Sequence, residues 1–200
     1  MQYSLNSPLT ILVVEDEPEH RQKIISTIFT TFTNPDYVNV LEASHLKQAR
    51  EYVRQNGGQI NFGIIDRHLP RTQKTSETIS PLRKCRLQAY SDWLDLDADG
   101  KDYNDSKWLD LRFKVDEFDQ KVWSALCIDG GIKLIVDNIA LLPNLTGLIF
   151  VTEAGLPKTR KDIARLEKSL SVHIISKTGI KHQEPGLEHA LKELVSDIKY

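Results

Sequence analysis

Short apolar runs alternate with helical stripes along this chain. TILVVE (10–15), VNVLEA (38–43), FGIID (62–66), LTGLIFVT (145–152) and VHIIS (172–176) are brief and largely β-branched, so each predicts a strand. Between them, apolar residues recur three and four apart. Ile24, Ile25, Ile28, Phe29 and Phe32 predict a first helix, opened at Asp16-Glu17-Pro18 and closed before the turn Asn34-Pro35-Asp36. Leu46, Ala49 and Val53 predict a second, with Ser44 as N-cap and Asn56-Gly57-Gly58 as its end. IKLIVDNIALLP after Gly130-Gly131 predicts a helix ended by Pro143. Residues 158–170, with Ile163, Leu166 and Leu170 inward, predict the next. The last spans 186–199 on Leu187, Leu191, Leu194, Val195 and Ile198.

Strands that read as continuous apolar runs are covered on both faces. The expected fold is therefore α/β, a (βα)5 doubly wound parallel sheet. The rhythm breaks between the third strand and the third helix, where residues 71–128 are polar, irregular and locally acidic. Within that stretch KWLDLRFKV alternates, with Leu109, Leu111, Phe113 and Val115 on one face and Asp110, Arg112 and Lys114 on the other. DWLDLD (92–97) repeats its Trp-Leu-Asp-Leu. The alternation predicts an inserted β-hairpin with a long loop, followed by a short helix over 116–127 that buries Phe118, Val122, Trp123 and Leu126. The chain is thus expected to be one domain, 1–200, interrupted by a folded insertion.

Composition narrows the function. A 200-residue chain with 40% hydrophobic and 27% charged residues is an ordinary globular protein. Its formal net charge of -2 favours neither nucleic acid nor an anionic membrane. No apolar run spans a membrane and the N-terminus lacks a secretory pattern. Cys85 and Cys127 make neither a disulfide framework nor a zinc motif, so a reduced cytoplasmic protein is expected.

The chemistry sits at the strand ends. The first closes on Glu15 and Asp16, the third on Asp66, the fourth on Thr152, and Lys177 follows the fifth. In a doubly wound sheet these ends share the functional crevice. Three acids suit a hard divalent cation, and a hydroxyl with an ammonium beside them suits a phosphoryl group. Clustered acids raise a carboxylate's pKa, while a metal and Lys177 oppose that. Asp95, Asp97, Asp99 and Gly100 open like a calcium-binding EF-hand loop. Ser106 replaces the twelfth-position Glu and Asp102 the apolar eighth, so an acidic hairpin tip is the better reading. The six histidines, His20, His45, His68, His173, His182 and His189, have no ligand spacing. The basic run Lys158, Arg160, Lys161, Arg165 and Lys168 reads as a solvated helix face.

In order and placement these motifs resemble the receiver domain of two-component response regulators. ILVVEDEPEHRQKI resembles its first strand, acidic pair and first helix. IIDRHLP resembles its third-strand motif, IDGG (128–131) the Asp-Gly that follows, and VT (151–152) and SK (176–177) the ends of strands four and five. The resemblance covers 9–70 and 129–199, and it implies a flavodoxin-like sheet of strand order 2-1-3-4-5. It implies Asp66 as phosphoacceptor, with Thr152 and Lys177 contacting the phosphoryl group. It implies Mg²⁺ held by Glu15, Asp16, Asp66 and the backbone carbonyl of His68. It also implies a histidine kinase or phosphotransfer protein as donor, an unknown downstream protein as target, and no enzymatic activity of the chain's own. A homodimer is left open, because the basic fourth helix belongs to the family's common dimer or partner surface.

Departures are specific. Glu153 stands where the family has a small residue, Thr178 where it has proline, and Ile174 where it has the Tyr or Phe that moves on activation. The insertion is the largest. A second reading is a degenerate receiver that acts through its insertion without phosphorylation. A metal-dependent phosphohydrolase is the third, and Asp66-Arg67-His68 lacks the second aspartate of its Asp-x-Asp motif. With one helix after the fifth strand, a stand-alone receiver or a fragment of a longer protein is expected.

Overall fold

The computed structural model describes residues 8–32, 34–98, 106–152, 160–177 and 186–196. Five parallel strands form the sheet: β1 (Leu9–Val14), β2 (Val38–Ala43), β3 (Ile60–Asp66), β4 (Gly147–Thr152) and β5 (Ser171–Ser176). Their spatial order is β2-β1-β3-β4-β5, the 2-1-3-4-5 order of a flavodoxin-like sheet. β1, β3 and β4 are buried along their whole length, which is why they read as unbroken apolar runs. β2 and β5 are edge strands and half-exposed.

Alternate strand residues feed two cores. Leu12, Val14, Ile65, Leu148 and Phe150 face one side, and Ile11, Val13, Ile64, Ile149 and Val151 the other. The first core is closed by α2 (Leu46–Asn56), α5 (Gly130–Asn138) and α6 (Arg160–Leu166) through Ala49, Val53, Ile132, Ile135, Ile163 and Leu166. The second is closed by α1 (Pro18–Thr31) and α7 (Gly186–Ser196) through Ile24, Ile28, Leu187, Leu191 and Leu194. The β1–β3 register slips once, between Thr10 and Ile11, and Asn61 Oδ1 accepts the Thr10 amide there at 2.9 Å.

One local expectation changes. The N-cap of α2 is His45, not Ser44: His45 Nδ1 accepts the Gln48 amide at 3.2 Å, while Gln48 Oε1 accepts the Ser44 amide at 3.0 Å. Gly57 follows the last residue of α2, at the expected end of the helix, with a right-handed backbone. It permits close approach, since a Cβ there would lie 2.2 Å from the Leu141 carbonyl oxygen.

The insertion corrects the expected β-hairpin. It is a pair of long helices, α3 (Gln73–Ala98) and α4 (Ser106–Ala125). Their inward residues follow a seven-residue spacing. Ile79, Leu82, Arg86, Ala89, Trp93 and Leu96 line α3, and Trp108, Leu111, Val115, Phe118, Val122 and Ala125 line α4. The two-residue alternation in KWLDLRFKV lasts nine residues. The 3-4 spacing runs through most of both helices and wins, leaving Leu109 39% and Phe113 68% exposed. The two Trp-Leu-Asp-Leu copies do meet, as helices: Trp93 and Trp108 pack edge to face at 5.5 Å, with Arg112 5.2 Å above Trp93. Arg86 Nε reaches Asp119 Oδ1 at 2.5 Å across the pair. Asp95 falls within α3, so the acidic stretch does not open as a calcium loop, and residues 99–105 lie outside the described residues. The short helix expected at 116–127 is the second half of α4, with Val122 buried in it and Leu126 buried just beyond its end.

The chain divides into two compact units, Met1–Thr72 with Cys127–Tyr200, and Gln73–Leu126. Each has its own core, the second built on Ile79, Val122 and Leu126. The ends of the first unit's gap lie together, since Arg71 Nε donates to Cys127 Sγ at 3.2 Å. Excising Gln73–Leu126 and joining Thr72 to Cys127 by a short glycine-serine linker is expected to leave a cooperatively folded five-stranded unit. Circular dichroism during thermal unfolding checks this, and loss of a cooperative transition would refute it. No helix among the described residues is long and apolar enough to cross a membrane.

Candidate functional site

The sheet order reverses between β1 and β3, and the carboxyl ends of these strands open the crevice there. Glu15 and Asp16 leave β1, and Asp66 ends β3. All three are buried, at 0%, 6% and 2% exposure, and each offers an oxygen within 4.8 Å of the others. Thr152 ends β4, one residue beyond Val151, the strand partner of Asp66, and Ser176 pairs with Thr152 just before Lys177. Thr152 and Lys177 are buried as well.

Lys177 joins the acids. Its Nζ lies 2.9 Å from Glu15 Oε1, 2.9 Å from Asp66 Oδ2 and 3.2 Å from Glu17 Oε1. Asp66 Oδ1 accepts the His68 amide at 3.1 Å, so the turn after β3 folds back over its own carboxylate. Glu15 Oε1 also accepts the Glu17 amide at 3.1 Å, and the Glu15 carbonyl accepts Arg21 Nη1 at 2.7 Å.

The electrostatics follow from crowding. Burial, the Asp66 charge and the Asp16 charge push the Glu15 carboxyl well above the ordinary glutamate range, against the pull of Lys177. Burial alone would lower Lys177. The charges of Asp66, Glu15, Glu17 and Asp16 outweigh it, and the lysine is held well above its ordinary value. Lys177 therefore stays an ammonium. Burial and the neighbouring Arg67 lower His68, keeping its imidazole neutral at pH 7.

Two features were not legible as site residues in the sequence. Glu17 completes the cage around Lys177, and its only sequence signal is its place directly after the acidic pair. Arg67, next to Asp66, forms a buried ion pair with Asp129, the residue that re-enters the first unit's helix α5. Asp129 takes a left-handed backbone, φ 55° and ψ 22°, which an aspartate tolerates better than most residues. The next turn packs directly on the site: the Gly131 amide donates to the Arg67 carbonyl at 3.2 Å, and a Cβ on Gly131 would lie 2.1 Å from the Asp66 carbonyl oxygen. That close approach explains the second glycine of IDGG.

Ile174, on edge strand β5, is 36% exposed. Glu153, Thr178 and Gly179 lie outside the described residues.

No family model and no curated protein matches the sequence. Among solved structures, the RcsB response regulator of Salmonella typhimurium matches 97% of this chain with a TM-score of 0.50 and 15% identity. The chain has the receiver fold of response regulators. It spans 63% of the length of that regulator's chain. A response regulator receiver domain protein from Clostridium thermocellum aligns at a TM-score of 0.47 and 12% identity, covering 95% of this chain and 99% of that one. A pilus assembly-related protein from Burkholderia pseudomallei aligns at 0.49 and 11%, covering 100% and 98%. In this fold Glu15, Asp16, Asp66 and Lys177 form one buried cluster, and Thr152 is buried at the end of the neighbouring strand.

The acids suit a hard cation. Glu15, Asp16 and Asp66 offer oxygens only, and among the described residues Glu15 Oε2 is buried with no hydrogen-bond partner, a costly state that a cation relieves. Mg²⁺ fits such a set because it keeps several of its waters.

Proposed function

We propose that this chain is a response-regulator receiver that accepts a phosphoryl group on Asp66 from a histidine kinase or phosphotransfer protein and signals by protein–protein contact. The observation that carries the reading is Lys177 Nζ held 2.9 Å from both Glu15 and Asp66, beside three acids that converge within 4.8 Å. A carboxylate attacks an anionic phosphoryl group only when charge is neutralised. Glu15, Asp16, Asp66 and the His68 carbonyl would hold Mg²⁺, which when bound neutralises charge on the phosphoryl oxygens.

An Asp66 carboxylate oxygen forms the new bond to phosphorus. The phosphorus–nitrogen bond of the donor phosphohistidine breaks, its electron pair returns to the imidazole, and the imidazole takes a proton. Lys177 then turns from carboxylate to phosphoryl oxygen, and the Thr152 hydroxyl donates to another. The chain is in this reading a kinase substrate, not an enzyme, and works in the cytoplasm. With Ile174 in place of an aromatic, its output does not run through an aromatic swing.

A second reading, a receiver that works through its insertion without phosphorylation, draws support from the independent core of α3 and α4. Acetyl phosphate separates the two. With Mg²⁺, the intact mass of the wild type is expected to rise by one phosphoryl group. Chelation by EDTA should abolish the gain, and Asp16→Asn should reduce it at least about tenfold, the scale of losing one metal ligand. No gain from acetyl phosphate or from a cognate kinase would leave the second reading standing.

A further inference from the structure

The helical insertion carries an apolar stripe that stays largely exposed, although one edge of it, the Tyr90 ring, also packs on Trp93 at 5.5 Å. Leu87, Tyr90 and Leu94 are spaced three and four apart on α3 and are 52%, 40% and 43% exposed. They form a line distinct from the inward residues Ile79, Leu82, Ala89, Trp93 and Leu96. Exposed large side chains in a continuous helical stripe mark an interaction surface.

The charges beside the stripe say what covers it. On the solvent side runs a second exposed line, Lys84, Gln88, Ser91 and Asp95, with a cation at one end and an anion at the other. We propose that this face of α3 is a self-association surface, its occupant the α3 helix of a second copy of this chain, packed antiparallel about a two-fold axis beside Tyr90. In that register Leu87 faces Leu94 of the other copy, Tyr90 faces Tyr90, and Lys84 faces Asp95 twice per dimer. A surface that binds its own duplicate must be self-complementary, and this one is in both shape and charge order. A parallel pairing would stack Lys84 on Lys84 and Asp95 on Asp95, and a uniformly acidic or basic partner would meet a like charge at one end. The charges therefore select orientation as well as partner, as flanking charges do in coiled coils. The surface lies in the inserted unit and does not depend on phosphorylation of Asp66.

Three large side chains per copy make a small interface, so the dimer is weak, with a dissociation constant roughly in the tens of micromolar. Sedimentation equilibrium of the full chain at low ionic strength over a concentration series reads it directly. The wild type is expected to show a monomer–dimer equilibrium. Lys84→Asp and Asp95→Lys should each weaken it at least about tenfold, because each places two like-charge contacts in the dimer. An equimolar mixture of these two variants should associate as a heterodimer, since both contacts are then attractive, and the double variant Lys84→Asp/Asp95→Lys should regain self-association. Tyr90→Glu should abolish it, with helical circular dichroism unchanged. A wild type that stays monomeric at high micromolar concentration overturns the proposal. So does self-association that survives Tyr90→Glu, or charge variants that show neither weakening nor mutual rescue.

Discussion

Replacing Lys177 with methionine is expected to destabilise the metal-free protein by about 3–5 kcal/mol, the usual result of removing one partner from a buried ion pair. The lysine is 2% exposed and holds Glu15, Asp66 and Glu17 within 3.2 Å. Methionine fills much of the same volume, so the loss is electrostatic rather than a cavity. Denaturant titration at constant m-value measures it. Two controls identify the cause. Added Mg²⁺ should recover part of the loss by supplying another cation to the same acids, and Asp66→Asn should act in the opposite direction, stabilising the metal-free protein. A Lys177→Met penalty below about 1 kcal/mol, the range of surface ion pairs, would mean that the cluster is solvated and not the buried site described here.

The pH dependence has a definite sign. A lysine whose folded pKa is raised contributes stability that is complete below its ordinary value and is lost as pH rises through the raised one. The Glu15 carboxyl is also raised, so between its ordinary and raised values the folded state binds more protons than the unfolded state. Stability falls there as pH rises. The Lys177→Met penalty should thus be largest at neutral pH and shrink as the medium is acidified and the acids take up protons.

Gly131→Ala is the second large effect, and its cause is steric. The added Cβ would stand 2.1 Å from the Asp66 carbonyl oxygen and 2.7 Å from Ile65 Cγ2. The first of these is backbone, so no side-chain rotation relieves it, and either β3 or α5 must move. A cost of about 3 kcal/mol is expected, at the high end for overpacking a closed core. Because the displaced backbone is that of Asp66, phosphoryl uptake should fall together with stability. Gly58→Ala is the control. Among the described residues nothing lies within 4 Å of its Cβ position, so it should be neutral or slightly stabilising. Equal melting temperatures for Gly131→Ala and wild type would contradict the close approach.

The sheet and the site were legible for the same reason. In a parallel sheet covered on both faces, β1, β3 and β4 are uniformly apolar, and the chain turns polar where each strand reaches the crevice. Asp16, Asp66 and Thr152 mark those points in the sequence itself. Edge strands β2 and β5 were legible from their β-branched runs despite half-exposure. In the insertion a nine-residue alternation is more conspicuous in the sequence than the longer, interrupted heptad that the fold follows. Arg86 occupies an inward position of α3, where it reaches Asp119, and Pro81 sits inside the helix. Both obscure the helical pattern. The cage role of Glu17 and the Arg67–Asp129 pair were invisible for a different reason: each depends on residues brought together from distant parts of the chain, Lys177 in one case and the far side of the insertion in the other.

Asp66 is the group proposed to take the phosphoryl. Borohydride reduction converts an acyl phosphate on aspartate to homoserine, which peptide mass spectrometry locates to a single residue. After acetyl phosphate and Mg²⁺, homoserine is predicted at position 66 in the wild type, at no other acid, and nowhere once EDTA is present. Reduction at Glu15 or Asp16 instead, or an unmodified residue 66 in protein that has gained a phosphoryl group, would contradict it.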